Sequence, residues 1–96
     1  MLSKSIAERP IRVLIIEDSA FYRQALTKML SSVPRIEIIG TAIDGADAIM
    51  QVTKQRPDVI TLDLEMPRVD GFVFLRWLMK NLPTPVVVVS SQSDQA

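Results

Sequence analysis

The sequence has no histidine and no cysteine among its 96 residues. Hydrolases of the Ser-His-Asp and Cys-His types need an imidazole base, and most zinc sites use imidazole or thiolate ligands. Those chemistries are therefore excluded within this chain. Without cysteine there is also no disulfide framework, which fits a reducing compartment.

An excess of charge of either sign is also missing, because eleven Lys plus Arg balance eleven Asp plus Glu. This balance argues against a basic face that binds duplex DNA or an anionic membrane. No apolar run approaches membrane-spanning length, and residues 1–10 lack the apolar core of a signal peptide. We therefore expect a cytoplasmic protein with no direct nucleic-acid partner and no membrane insertion.

Length and composition predict one globular domain. Hydrophobic residues make up 48% and charged residues 23% of the chain, which is enough apolar side chain for a single core of this size. We predict an N-terminal tail over residues 1–10 and the domain over residues 11–96.

Short apolar runs alternate with amphipathic stretches along the whole chain. The runs predict four strands, at Ile11–Ile16, Ile36–Ala42, Val59–Leu62 and 86–89. The stretches between them predict three helices: one over 20–33 closed by Pro34, one capped by Asp44 and ending before Pro57, and one over 72–82 stopped by Pro83. Short right-handed crossovers then predict an α/β fold with a doubly wound parallel sheet.

Polar side chains follow three of the predicted strands. Glu17 and Asp18 follow the first, Asp63 the third and Ser90 the fourth, and ligands of parallel sheets bind at these carboxyl ends. Clustered acids repel one another unless a cation lies among them, and Mg²⁺ is the simplest oxygen-binding candidate. Alternatively, these are ordinary loop residues, and Asp18 or Ser19 merely caps the first helix.

Four segments carry a resemblance to a known family: VLIIEDS at 13–19, DVITLDLEMP at 58–67, DG at 70–71 and PVVVVSS at 85–91. In order and spacing they closely resemble the receiver domains of two-component response regulators, phosphoproteins of phosphorelay signal transduction. Within that family the chain is most similar to the receiver at the front of chemotaxis protein-glutamate methylesterases. The resemblance implies a flavodoxin-like receiver fold and a phosphorylation-dependent regulatory module whose phosphoryl donor is a sensor histidine kinase.

The resemblance also assigns roles by position. Asp63 would be the phosphoacceptor. Asp18 and Asp63 would hold Mg²⁺, with the backbone carbonyl of Glu65 as a third ligand and Glu17 acting through water. Ser90 would supply the switch hydroxyl. The esterase triad of a methylesterase cannot lie in a chain without histidine, so the effector domain is expected elsewhere.

The sequence departs from the family pattern after the fourth strand. The resemblance implies a fifth strand, a fifth helix and a lysine that pairs with the phosphoryl group, and no lysine here matches that position. The uncharged valine run would then be an exposed sheet edge, which favours aggregation. We therefore expect an incomplete receiver whose fourth strand is covered by its own effector domain or by a partner copy.

Two further expectations concern partners. On the third helix a core-facing stripe is predicted that consists of Phe72, Leu75, Leu78, Met79 and Leu82. Val73 and Trp77, four residues apart and away from this stripe, are expected to share an outward patch. The whole protein could also be a DNA-binding response regulator instead of a methylesterase. A small nucleotide-binding domain is disfavoured because no glycine-rich loop follows the first strand.

Overall fold

A computed structural model describes residues 9–65 and 71–89 of the chain. It contains, in chain order, β1 (Ile11–Ile16), α1 (Ala20–Ser31), β2 (Ile36–Ala42), α2 (Gly45–Gln55), β3 (Val59–Leu62), α3 (Gly71–Asn81) and β4 (Val86–Val88). The predicted alternation is confirmed, although α1 ends before the predicted boundary and β4 is shorter than the valine run. The structure describes no helix that is long and apolar enough to cross a bilayer.

The four strands form one parallel sheet in the order β2-β1-β3-β4. The crossover from β1 to β2 runs in the opposite direction to the two that follow it. Right-handed crossovers therefore put α1 on one face of the sheet and both α2 and α3 on the other. The predicted doubly wound sheet is confirmed, with β1 and β3 at its centre.

The main core lies between the sheet and the helices α2 and α3. Its side chains are at most 1% exposed, and they are Leu14, Ile16, Ala42, Ala48, Val52, Ile60, Leu62, Phe74 and Leu78. Burial of each large apolar side chain contributes about 1.5–3 kcal/mol relative to exposure. The packing therefore fixes β1 and β3, the two strands that end in the predicted site residues.

The opposite face of the sheet is less completely covered by the described residues. Helix α1 lies on this face and has no buried residue, and Phe21 and Met29 are 74% and 63% exposed. Thr61, which alternates with the core residues of β3, has a buried hydroxyl without a hydrogen-bond partner in the described part of the chain. Val87 of β4 is 54% exposed.

The predicted outward patch on α3 is wrong for one of its two residues. Trp77 packs against the core, and its ring stacks on Phe74 with centroids 6.2 Å apart. Val73 is half exposed, as are Phe72 and Met79, which were expected to face the core. Nearly every position of this helix is apolar, so its periodicity does not select one face. The inward face consists of Gly71, Phe74 and Leu78.

Candidate functional site

The residues that follow β1 and β3 are held by hydrogen bonds that continue the sheet. The Glu17 amide donates to the Ala42 carbonyl at 2.9 Å, and the Asp63 amide donates to the Ile16 carbonyl at 3.1 Å. Both acidic residues are thus fixed to the strand next to their own. The sheet itself sets the distance between the two side chains.

Three carboxylates meet at this edge of the sheet. Glu17, Asp18 and Asp63 each present an oxygen, and these oxygens all lie within 4.8 Å of one another. Glu17 and Asp63 are each 1% exposed, and Asp18 is half-buried. The structure therefore brings together three of the predicted site residues.

Glu17 is the most strongly perturbed group of the cluster. Its Oε2 accepts a hydrogen bond from the Ser19 amide at 3.1 Å, whereas its Oε1 is buried without a partner among the described residues. Burial raises the pKa of Glu17 from 4.5 to about 7; the Ser19 amide opposes this shift, and neighbouring Asp63 adds to it. Near neutral pH the site without a cation therefore retains a proton for part of the time.

The chain turns immediately after Asp63. The Glu65 amide donates to Asp63 Oδ1 at 2.9 Å, which orients the carboxylate and places the Glu65 backbone beside it. The Glu65 side chain is exposed. The structure thus places the Glu65 backbone next to the cluster.

Gly71, the first residue of α3, packs directly on the segment after Asp63. A Cβ atom here would lie 2.8 Å from Leu64 Cα and 3.3 Å from the Asp63 carbonyl oxygen. Such contacts are closer than a side chain tolerates, so glycine is required for α3 to approach this turn. The intervening residues 66–70, with Pro67 and Asp70, lie outside the described residues.

The first turn of α1 closes the other side of the cluster. Ser19 caps the helix, because its Oγ accepts from the Tyr22 amide at 3.4 Å, and the alternative capping role is thus met without Asp18. Arg23 Nη1 donates to the carbonyls of Glu17 at 3.1 Å and Asp18 at 3.4 Å. Sequence analysis missed Arg23, because it contacts backbone carbonyls and no side-chain pattern in the sequence records such contacts.

Ser90 lies outside the described residues, so its predicted role stays a prediction. The preceding residue, Val89, is described, and its amide donates to the Leu62 carbonyl at 2.9 Å. The backbone therefore remains bound to β3 up to the last described position.

The donor set fits a hard divalent cation. All three side chains offer carboxylate oxygens, which Mg²⁺ prefers, and the buried Glu17 Oε1 has no hydrogen-bond donor within residues 9–65 and 71–89. A cation would also remove the repulsion between Glu17 and Asp63. The arrangement can thus bind a metal ion and hold Asp63 as an oxygen nucleophile beside it.

Comparison with known proteins gives the same family over most of the chain. Residues 13–96 match the model of the response regulator receiver domain. The chain is 54% identical over 86 residues to protein-glutamate methylesterase/protein-glutamine glutaminase 3 of Geobacter sulfurreducens, covering 90% of this chain and 23% of that protein. It is 55% identical over 88 residues to the corresponding protein of Symbiobacterium thermophilum, covering 92% of this chain and 24% of that protein. The chain thus spans about a quarter of the length of these relatives.

Solved structures agree with this family. The response regulator domain of Thermotoga maritima CheB superposes with a TM-score of 0.83 at 42% identity, covering 92% of this chain and 66% of that one. A chain of the CheX–CheY–BeF3–Mg²⁺ complex from Borrelia burgdorferi superposes with a TM-score of 0.79 at 32% identity, covering 91% and 66%.

Proposed function

Since the chain belongs to the response regulator receiver domain family, we propose that it is a switch module in which Asp63 takes a phosphoryl group beside a bound Mg²⁺ ion. The chain is homologous to the N-terminal receiver of protein-glutamate methylesterases. Receiver domains take phosphoryl groups from histidine kinases and generally bind Mg²⁺ at an acidic pocket. A sensor histidine kinase is therefore the proposed donor.

The observation that carries this proposal is the convergence of Glu17, Asp18 and Asp63, whose carboxylate oxygens lie within 4.8 Å of one another. One buried Glu17 oxygen also has no hydrogen-bond partner in the part of the chain that the structure describes. A loop acid that only caps a helix or solvates a turn would not be buried beside two others. The Borrelia burgdorferi complex, which superposes on this chain, contains Mg²⁺ and BeF3, a phosphomimetic. That precedent supports the same pair of ligands here.

Asp63 is the proposed nucleophile. A carboxylate oxygen attacks the phosphorus of the donor and forms an acyl phosphate, while the bond from phosphorus to the donor nitrogen breaks and its electron pair stays on that nitrogen. Asp63 is buried, and its amide is hydrogen-bonded to the Ile16 carbonyl of β1. Its carboxylate accepts a hydrogen bond from the Glu65 amide, which keeps it oriented for this attack. Bound Mg²⁺ neutralises charge on the transferring group and on the carboxylates.

We assign the metal ligands by combining position and geometry. Asp18 and Asp63 would bind the ion directly, the backbone carbonyl of Glu65 would be the third protein ligand, and Glu17 would act through a water molecule. The half-buried position of Asp18 and the unpaired Oε1 of Glu17 support these roles. The amide of Glu65 already contacts Asp63, which keeps its backbone within reach of the site.

Ser90 is the proposed switch residue. Its hydroxyl would turn toward the phosphoryl group on Asp63 and draw the end of β4 with it. The hydrogen bond from the Val89 amide to the Leu62 carbonyl supports this role. Val89 directly precedes Ser90, and Leu62 directly precedes Asp63.

The proposed effector is a protein-glutamate methylesterase domain of the same protein, with residues 1–10 as a tail and residues 11–96 as the receiver unit. The methylesterase relatives at 54% and 55% identity favour this effector over a DNA-binding one. A structure with DNA among the similar folds is only 20% identical and supports the fold alone.

We also propose that β4 is covered in the whole protein by its effector domain or by a second copy. Val87 and Val88 are 54% and 51% exposed, and β4 is the last strand of the described sheet. A bare, uncharged edge of this kind promotes pairing with other strands.

Phosphorylation by a small acyl phosphate tests the central role of Asp63. We expect the chain to gain one phosphoryl group, seen by mass spectrometry, only when Mg²⁺ is present. Asp63→Asn should remove the product completely, because an amide is not a comparable nucleophile.

Glu37→Gln is the matched control, since it removes one negative charge from an exposed position of β2. This variant should be labelled like the parent chain. Labelling of Asp63→Asn to the parental level, or labelling that does not depend on Mg²⁺, would refute the proposed function.

A further inference from the structure

We infer that Arg23 is a positioning residue that holds the metal-binding loop through the carbonyls of Glu17 and Asp18. The inference rests on the proposed function, because it concerns the same Mg²⁺ site. It adds a cationic residue on α1 to a site otherwise built from acidic residues.

The contacts come from one nitrogen. Arg23 Nη1 donates to the Glu17 carbonyl at 3.1 Å and to the Asp18 carbonyl at 3.4 Å. Glu17 and Asp18 are the two consecutive acidic residues that follow β1. One guanidinium therefore fixes the orientation of both peptides at once.

Arg23 is itself held in place along α1. Its amide donates to the Ser19 carbonyl at 2.8 Å, and the Thr27 hydroxyl donates to the Arg23 carbonyl at 2.7 Å. The side chain is half-buried and lines a cleft of about 360 Å³ together with Thr27 and Thr41. The guanidinium thus reaches the loop from a residue whose backbone is hydrogen-bonded within α1.

The loop needs such support because its carboxylates repel one another. Asp18 is only half-buried, and rotation of its peptide would move the carboxylate away from Asp63 and into solvent. Hydrogen bonds from a charged donor oppose that rotation and are stronger than those from a neutral donor. A lysine, with its point charge, would replace the planar guanidinium only in part.

Calorimetric titration with Mg²⁺ alone tests this role on the full chain. Arg23→Gln should weaken Mg²⁺ binding about tenfold, as expected for loss of a charge-assisted hydrogen-bond pair. Arg23→Lys should give an intermediate affinity. Lys28→Gln removes the same charge from the last turn of α1 and should bind Mg²⁺ like the parent chain.

The melting temperature without Mg²⁺ separates positioning from a general structural role. The inference is overturned if Arg23→Gln lowers this temperature but leaves the Mg²⁺ affinity unchanged, or if Lys28→Gln weakens binding equally. If Arg23→Gln does not fold, Arg23→Lys decides, and parental affinity in that variant overturns the inference. Absence of Mg²⁺ binding in the parent chain would overturn the proposed function, and this inference with it.

Discussion

At the scale of single residues, Glu17 is the acidic residue of the site whose charged form the fold destabilises most. Its carboxylate is 1% exposed, one oxygen is unpaired, and its pKa is raised to about 7 mainly by burial. A shift of this size corresponds to roughly 3 kcal/mol between the two protonation states. In the fold without metal the charged form of Glu17 is therefore destabilised, and a bound cation would offset this destabilisation.

The raised pKa predicts a pH dependence of stability. Below pH 4.5 Glu17 is protonated in both folded and unfolded chains, and stability is lost as pH rises through the folded pKa of about 7. Without Mg²⁺, Glu17→Gln should therefore match the parent chain near about pH 5 and melt at a higher temperature near about pH 8. Thermal unfolding followed by circular dichroism measures this difference.

Saturating Mg²⁺ should reverse the order of the two proteins above neutral pH, because the ion stabilises the parent chain more than the variant. The exposed residue Glu37 provides the control, and Glu37→Gln should give a difference that changes little with pH. A difference for Glu17→Gln that is equally flat would contradict the assigned pKa.

The acidic residues were predictable from sequence, whereas Arg23 was not. Glu17, Asp18 and Asp63 directly follow apolar runs, and parallel strands bring such positions to one edge. Arg23 acts through two backbone carbonyls, and no side-chain pattern records that contact. Its role depends on how α1 lies over the loop, which only coordinates reveal.

At the scale of elements, strands were predicted more accurately than helices. The bounds of β1, β2 and β3 agree with their apolar runs, which are limited by polar residues or turns. The core-facing stripe predicted on the third helix was wrong for Phe72 and Met79, which are half exposed. It was right for Leu75, Leu78 and Leu82, which lie in the core or pack against it. When most positions of a helix are apolar, the sequence pattern does not show which side of the helix faces the core.

The edge strand β4 gives a prediction at this scale. Because Val87 and Val88 are half exposed and uncharged, the isolated chain should self-associate in analytical ultracentrifugation. Val87→Lys places a charge on that edge and should shift the population toward monomer. The backbone ladder of β4 with β3 does not require the Val87 side chain.

Met50→Lys is the matched control, because Met50 is an exposed apolar residue of α2, 60% exposed, away from β4. It should leave the association unchanged. A parent chain that remains monomeric at all concentrations would contradict the proposal that β4 needs a cover.

At the scale of the whole molecule, the two faces of the sheet differ. One face is closed by α2, α3 and a buried core, while α1 leaves the other partly open, with an unpaired Thr61 hydroxyl. The alternation of strands and helices predicted a parallel α/β sheet, since short right-handed crossovers leave few alternatives. How completely the helices cover each face of the sheet was not predictable from the sequence, because it depends on packing between elements that are distant in the chain.

The central claim is that folding gathers Glu17, Asp18 and Asp63 around one divalent cation. Substitution of Mn²⁺ for Mg²⁺, followed by amide NMR, tests it most directly, because the paramagnetic ion broadens nearby signals and accepts similar oxygen ligands. The account predicts that the amides of those three residues and Glu65 broaden first, while those of Glu37 and Lys54 persist. Broadening that begins at Glu37 or Lys54, or that spreads evenly over the chain, would contradict it.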